Sequence, residues 1–167
     1  MGSHAHRLKI QNDISTYTIL PLEKRGSTRE GKETVKALFA GLEEDFSKRI
    51  KNGDYLVAGS NFGCGPDAEQ AVLALKFSGV GAVVAKSFSR IFYRSAMNWG
   101  LSLIECETNY IDDMDELSLD LDRNCLMNLS KGVRVDIKPV PKMLKKMLSK
   151  GGVIQYFRDM HTLSEVA

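Results

Sequence analysis

The chain has 167 residues, 43% hydrophobic and 26% charged, a size and composition that fit one soluble globular domain with a sizeable core. With 23 basic against 21 acidic residues the net charge is only +2, which argues against the clustered basic face of a sequence-independent nucleic-acid binder. No apolar run approaches the ~20 residues of a membrane span, and three cysteines without CxxC spacing suggest neither a disulfide framework nor a zinc site.

The opening Met1-Gly-Ser-His-Ala-His6 lacks a signal peptide's apolar core and reads as a cloning remnant. Residues 1–7 are therefore set apart as tag remnant or disordered, and 8–167 are taken as one domain. Leu8-Lys-Ile10 is expected as a short first strand, followed by the turn-prone Gln11-Asn12-Asp13. Residues 23–34 are polar and glycine-containing, the composition of a mobile loop. Val35, Leu38, Phe39, Leu42 and Phe46 then fall at helical spacing, which predicts an amphipathic helix over 34–50.

The centre alternates strand and helix. Tyr55–Ala58 is a short apolar strand. Pro66 suits a first helical turn, Asp67 and Glu69 suit the dipole there, and Ala68, Ala71, Val72 and Leu75 form one stripe before Gly79 stops the helix. Ala82–Ala85 has the continuous apolar character of a buried parallel strand. A second helix from Phe88 places Phe88, Ile91, Phe92, Ser95 and Trp99 on one face and ends at Gly100, and Leu101–Cys106 is a third strand. This order predicts an α/β fold with a small, largely parallel sheet built from βαβ units. Val133–Ile137 alternates like a further strand, and Pro141 opens a helix that ends near Gly151-Gly152. The lysine run 142–150 reads as that helix's solvated face. Val153–Phe157 is left open between strand and helix.

Residues 59–71, Gly-Ser-Asn-Phe-Gly-Cys-Gly-Pro-Asp-Ala-Glu-Gln-Ala, carry most of the functional information. A strand runs into Gly59, Gly63 and Gly65 and a helix follows, an order expected to aim several backbone N–H groups and a helix dipole at one anion. Cys64 lies inside this loop and reads as a lone buried thiol, because a cluster needs several cysteines brought together. Free cysteines also fit a reducing cytosol, so a cytoplasmic location is expected.

The loop resembles the Asn-Phe-Gly-Cys-Gly-Ser-Ser-Arg-Glu-His-Ala stretch of 3-isopropylmalate isomerase small subunits and of aconitase swivelling domains. Three more segments are similar in the same order. Asn12-Asp13-Ile14-Ser15-Thr16 resembles the family's Asp-Ile-Asp-Thr, with Ser15 for the second aspartate. Residues 85–101, Ala-Lys-Ser-Phe-Ser-Arg-Ile-Phe-Tyr-Arg-Ser-Ala-Met-Asn-Trp-Gly-Leu, resemble its Pro-Ser-Phe-Ala-Arg-Ile-Phe-Tyr-Arg-Asn-Ala-Ile-Asn-Asn-Gly-Leu, and Leu148–Tyr156 resembles its Gly-Gly end segment.

The resemblance implies a β/β/α swivelling domain that works with a separate large subunit. That partner would hold a [4Fe–4S] cluster, the Lewis acid that polarises the leaving hydroxyl, and this chain would hold no cofactor or metal. The implied reaction is dehydration and rehydration of a hydroxy-dicarboxylate between the subunits, in leucine biosynthesis. An isolated chain with an interface awaiting its partner is open to homo-oligomerisation.

The family's reactive Ser-Ser-Arg is Pro66-Asp67-Ala68 here. Carried over by position, the serine base falls on Pro66, which has no titratable group, and the carboxylate-clamping arginine falls on uncharged Ala68. Asp67 is the one candidate catalytic residue, with satisfaction of the helix terminus as its alternative role. The candidate substrate contacts are Gly63, Gly65, Pro66, Asp67, Ala68, Lys24, Arg25 and Arg94. Lys24, Arg25 and Arg29 lie where the family places its substrate-discriminating loop, and are otherwise a solvated loop. Arg94 either lines the site or pairs with an acid such as Glu69. His161 lies in a polar tail with no partner nearby in sequence. Three readings follow: a hydro-lyase subunit with altered chemistry, a catalytically silent scaffold, or a module that binds an anion or RNA.

Overall fold

The computed structural model describes residues 3–24, 32–43 and 46–165. Seven strands, β1 (Ser3–Arg7), β2 (Tyr55–Val57), β3 (Ala82–Ala85), β4 (Ser102–Glu105), β5 (Glu116–Asp120), β6 (Cys125–Asn128) and β7 (Val133–Asp136), form one sheet in the order β4-β3-β2-β1-β5-β6-β7. The strands β1 to β4 run parallel, as the βαβ pattern predicts, and β5 to β7 extend the sheet as antiparallel neighbours. The two far edges then meet. Cys106 bridges Ile137, and Lys138 N–H donates to the Glu105 carbonyl at 2.8 Å, so the sheet curls round on itself.

Curling gives the sheet an inside and an outside, and both are apolar in the parallel half. Val57, Ala82, Val84 and Ile104 point inward with Ala5, Leu117, Leu126 and Val135. Leu56, Ala58, Val83, Ala85 and Leu103 point outward and are covered by α4 (Ala68–Phe77) and α5 (Arg90–Trp99). Two buried faces explain the unbroken apolar runs of β2 and β3. In the antiparallel half the outward residues Ser118 and Arg134 are exposed, so the pattern there alternates.

Several expectations need correction. The first strand is Ser3–Arg7 rather than Leu8–Ile10, and most of the segment set apart as tag or disorder is a central strand. Ala5 and His6 are buried there, and Leu8 is a core residue just beyond it. The helix expected over 34–50 is two short ones, α2 (Lys32–Lys36) and α3 (Phe46–Arg49), after a first short helix, α1 (Thr16–Ile19). Phe39 takes a left-handed φ of 55°, which breaks the helical ladder but buries its ring edge-on to Phe46 at 4.8 Å. Burial of so large a ring offsets the ~1–2 kcal/mol of left-handed strain.

The helix after the glycine loop starts at Ala68, two residues later than Pro66, because Asp67 is left-handed at φ 56° and cannot join it. Strands β5 and β6 were not anticipated; Asp120 Oδ1 accepts from the N–H groups of Asp122 and Arg123 and turns the chain between them. Near the end, α6 (Lys142–Ser149) follows Pro141 as expected, and the open segment resolves as a helix, α7 (Val153–Glu165).

At the amino ends of the parallel strands a buried polar knot ties β1 to β2. Asp54 accepts from His6 Nε2 at 2.8 Å, from Lys51 N–H at 2.9 Å and from His4 N–H at 3.1 Å. Burial, the largest single influence, would raise the Asp54 carboxyl, but the hydrogen bonds from His6, Lys51 and His4 together outweigh it and hold the carboxyl below its usual 3.8. A depressed folded value gives stability that is full above the unfolded value and is lost as pH falls through the folded one. Asp54→Asn should therefore be less stable than wild type at pH 7, with the gap closing as pH drops below 3.8. Urea midpoints across that range measure it, and a gap that stays constant would remove Asp54 from the acid response.

Candidate functional site

The carboxyl ends of β1, β2 and β3 lie side by side, and the three resemblance segments are the loops that leave them. Open α/β sheets bind ligands at such ends. Here the loops are stitched together. Gly59 N–H donates to the Gln11 carbonyl at 2.7 Å, Ser60 N–H to Asn12 Oδ1 at 2.8 Å, and Gly63 N–H to the Ile14 carbonyl at 2.7 Å. From the other side, Asn61 N–H reaches Ser87 Oγ at 2.8 Å and Phe62 N–H the Ser87 carbonyl at 3.0 Å. All five N–H groups from 59 to 63 are thus taken by the neighbouring loops. The expected anion cradle over the three glycines is not formed by this part of the loop, which serves as a rigid frame for residues 64–68.

Side chains complete the frame. Thr16 N–H donates to the Cys64 carbonyl at 2.8 Å, and Thr16 Oγ1 to the Pro66 carbonyl. Ser15, at the family's second aspartate, caps α1 by accepting from Thr18 N–H at 3.0 Å. Asn61 Nδ2 donates to Asp13 Oδ1 at 2.8 Å. Ser89 caps α5 and also donates to the Gly63 carbonyl at 2.7 Å. Phe62 lies edge-on to Phe92 at 5.3 Å and to Phe88 at 6.1 Å, which clamps the loop to α5. The roles of Thr16, Asn12, Ser87 and Ser89 escaped the sequence reading, although the resemblance segments contained all four.

The apex carries the altered residues. Gly65, Pro66 and Asp67 are exposed, and Ala68 is buried as the first residue of α4. Asp67 occupies the N-cap position of α4, at the positive end of its dipole, and its side chain makes no capping hydrogen bond. A left-handed aspartate holds its backbone in a sparsely populated region, of order 1–3 kcal/mol when the surroundings impose it. Glu69 and Asp13 are exposed nearby in the chain and in the stitched loops, so the apex is acidic.

Other candidates fall elsewhere. Arg94 is exposed on α5, and among the described residues it makes no ion pair with Glu69. Lys24 ends a 3-10 turn, Leu22–Lys24, but its side chain, Arg25 and Arg29 lie outside the described residues. Cys64 is half-buried, with its thiol 3.5 Å from the Asp13 carbonyl. Cys106 is protonated at neutral pH, since burial first and Glu107 second push its thiol up to about 12. Cys125 is buried in β6, and no group of three or more potential metal ligands is assembled among the described residues. These three separated thiols do not fit an iron–sulfur cluster.

Comparison with known proteins agrees with this geometry. Residues 5–109 match the aconitase C-terminal domain, and the match begins inside β1. A 3-isopropylmalate dehydratase small subunit of Archaeoglobus fulgidus is 43% identical over 153 residues, covering 91% of this chain and 94% of that one. The corresponding subunit of Methanosarcina acetivorans is 41% identical with the same coverage. The chain belongs to the 3-isopropylmalate dehydratase small-subunit family. A crystal structure of 3-isopropylmalate dehydratase from Methanocaldococcus jannaschii superposes with a TM-score of 0.88 at 36% identity, covering 98% of this chain and 96% of that one. Members of the family are components of a hydro-lyase. Shared coverage of nearly the whole length places β5 to β7, α6 and α7 within the family fold as well.

Proposed function

We propose that this chain forms the small half of a two-subunit hydro-lyase and that Asp67 is the base it presents to the substrate. The partner is a large subunit holding the iron–sulfur cluster, and the substrate is an analogue of a hydroxy-dicarboxylate. The observation that carries the reading is the altered apex itself, a Pro66-Asp67-Ala68 triplet on a loop held as rigidly as a catalytic loop needs. In the dehydration direction Asp67 takes the proton from the carbon beside a carboxylate. The freed electron pair becomes the double bond, and the hydroxyl leaves the neighbouring carbon, so that one water is released in total.

Charge sets the substrate class. Replacing the family arginine by Ala68 removes one positive charge, and Asp67 adds one negative charge. At ~4 Å each is worth about 4 kcal/mol at an effective dielectric of 20. The substrate arm that faces residues 66–68 is therefore uncharged or cationic rather than a carboxylate. Gly63 is buried against Phe92, so of the two glycines it is the exposed Gly65 that borders that arm.

The test is co-expression with the large subunit, anaerobic reconstitution with iron and sulfide, and assay on a panel of unsaturated acids that includes isopropylmaleate. Turnover that needs both chains, and that prefers a substrate with one carboxylate fewer, is the expected result. A loaded complex with no turnover on any member would favour a scaffold instead, in line with the empty base position at Pro66.

A further inference from the structure

Helix α5 buries one stripe, Phe92, Ala96 and Met97, and leaves Arg90, Ile91, Arg94 and Asn98 exposed. Ile91 is 62% exposed, more than any other large apolar side chain among the described residues. Arg90 and Arg94 stand one turn apart, where like charges cost about 0.2–0.5 kcal/mol. They also stand in the first half of the helix, nearest its positive end, and no acidic residue in the first turn offsets them.

Neither arginine meets a carboxylate or carbonyl among the described residues. Every other arginine with a described side chain is engaged. Arg7 holds the carbonyls of Thr108 and Ile111, Arg49 pairs with Glu43 and Asp113, Arg123 with Asp120, Arg134 with Asp136, and Arg158 also has a partner. The α5 face thus combines two uncompensated guanidinium groups with an exposed apolar side chain beside them. Arginine beside an apolar centre is the composition of protein interfaces, and a guanidinium fork matches carboxylates.

From this face we infer that α5 docks on an acidic surface of the large subunit, with Ile91 covered at the centre and Arg90 and Arg94 on partner carboxylates. The inference rests on the two-subunit reading above. Ile91 decides between a protein and a small substrate as the occupant, because a carboxylate ligand could neutralise the arginines but leave the isoleucine in water. Continuity with the site supports the same partner. Ser89, next to Arg90, donates to the Gly63 carbonyl at 2.7 Å, so a chain seated on α5 stands over the 64–68 apex. Docking also bears on the loop, since Phe92 of the same helix holds Phe62 in place.

The experiment titrates the chain against the large subunit obtained by co-purification, at low and high salt, alongside Arg90→Glu/Arg94→Glu and Ile91→Ala. Wild-type affinity should fall with salt. The double reversal should weaken association about tenfold or more and flatten the salt dependence, with its own unfolding midpoint unchanged because both sites are exposed. Ile91→Ala should weaken association equally at both salt concentrations. Unchanged affinity with an intact salt dependence would overturn the docking contact. So would unchanged affinity with a raised KM, which would move the arginines onto the substrate. Failure of the wild-type chain to associate at all would overturn the two-subunit reading, and the contact with it.

Discussion

Gly63→Ala is expected to destabilise the fold by about 3 kcal/mol or more, from left-handed strain of ~1–2 kcal/mol and overpacking of ~1–3 kcal/mol. Gly63 has φ 78°, and an added Cβ would stand 2.2 Å from Phe92 Cγ and 2.4 Å from Phe92 Cδ2. The Phe92 ring has no room to yield, because it is fully buried and lies edge-on to Phe62. The loop cannot withdraw either, with Gly63 N–H on Ile14 and its carbonyl on Ser89. Against a typical stability of ~5–15 kcal/mol such a loss is large, and urea unfolding at constant slope reads it directly. Gly132→Ala is the control, since Gly132 has a similar φ of 66° but nothing within 4 Å of an added Cβ. It should show the strain alone. Equal losses at the two glycines would mean that the loop is not packed on α5 as described.

Asp67→Asn is expected to lower turnover of the reconstituted holoenzyme by ~10²–10⁴-fold, the usual contribution of a positioned base. Asparagine keeps the size of the side chain and the tolerance for a left-handed backbone, so the loop should fold as before. The variant should therefore assemble with its partner at wild-type affinity and unfold at the wild-type midpoint. This separates chemistry from structure. Unchanged turnover would take Asp67 out of the mechanism and leave proton removal to the large subunit. Loss of assembly along with turnover would make Asp67 an interface residue instead.

On the proposed reading, the acidic apex separates family chemistry from family membership in this chain. Membership rests on identity along nearly the whole chain. The proposed change of chemistry rests on three residues at the end of the glycine loop. The contacts that hold Gly63, Phe62 and Ser89 do not involve residues 66–68.

The amino-acid sequence by itself determined three of the four parallel strands, β2 to β4, and the two helices between them. Ala82–Ala85 is a strand with the expected bounds, Gly100 ends α5 at φ 73°, and Gly79 follows α4 at φ 89°. These features are local: an apolar run, a helical stripe and a glycine are each readable within about ten residues. It also determined the family, through four segments that follow the family's order. Tertiary structure alone decided the rest. Ser3–Arg7 is a central strand because β2 and β5 pair with it from residues 55 and 116 onward, partners that no local pattern contains. The 34–50 helix breaks because Phe39 gains more from the core than from its ladder. The glycine loop is a frame rather than a cradle because Gln11, Asn12, Ile14 and Ser87, all distant in sequence from their partners, take its N–H groups first. Side-chain and backbone partners far along the chain set those outcomes, and only folding brings them within hydrogen-bond reach.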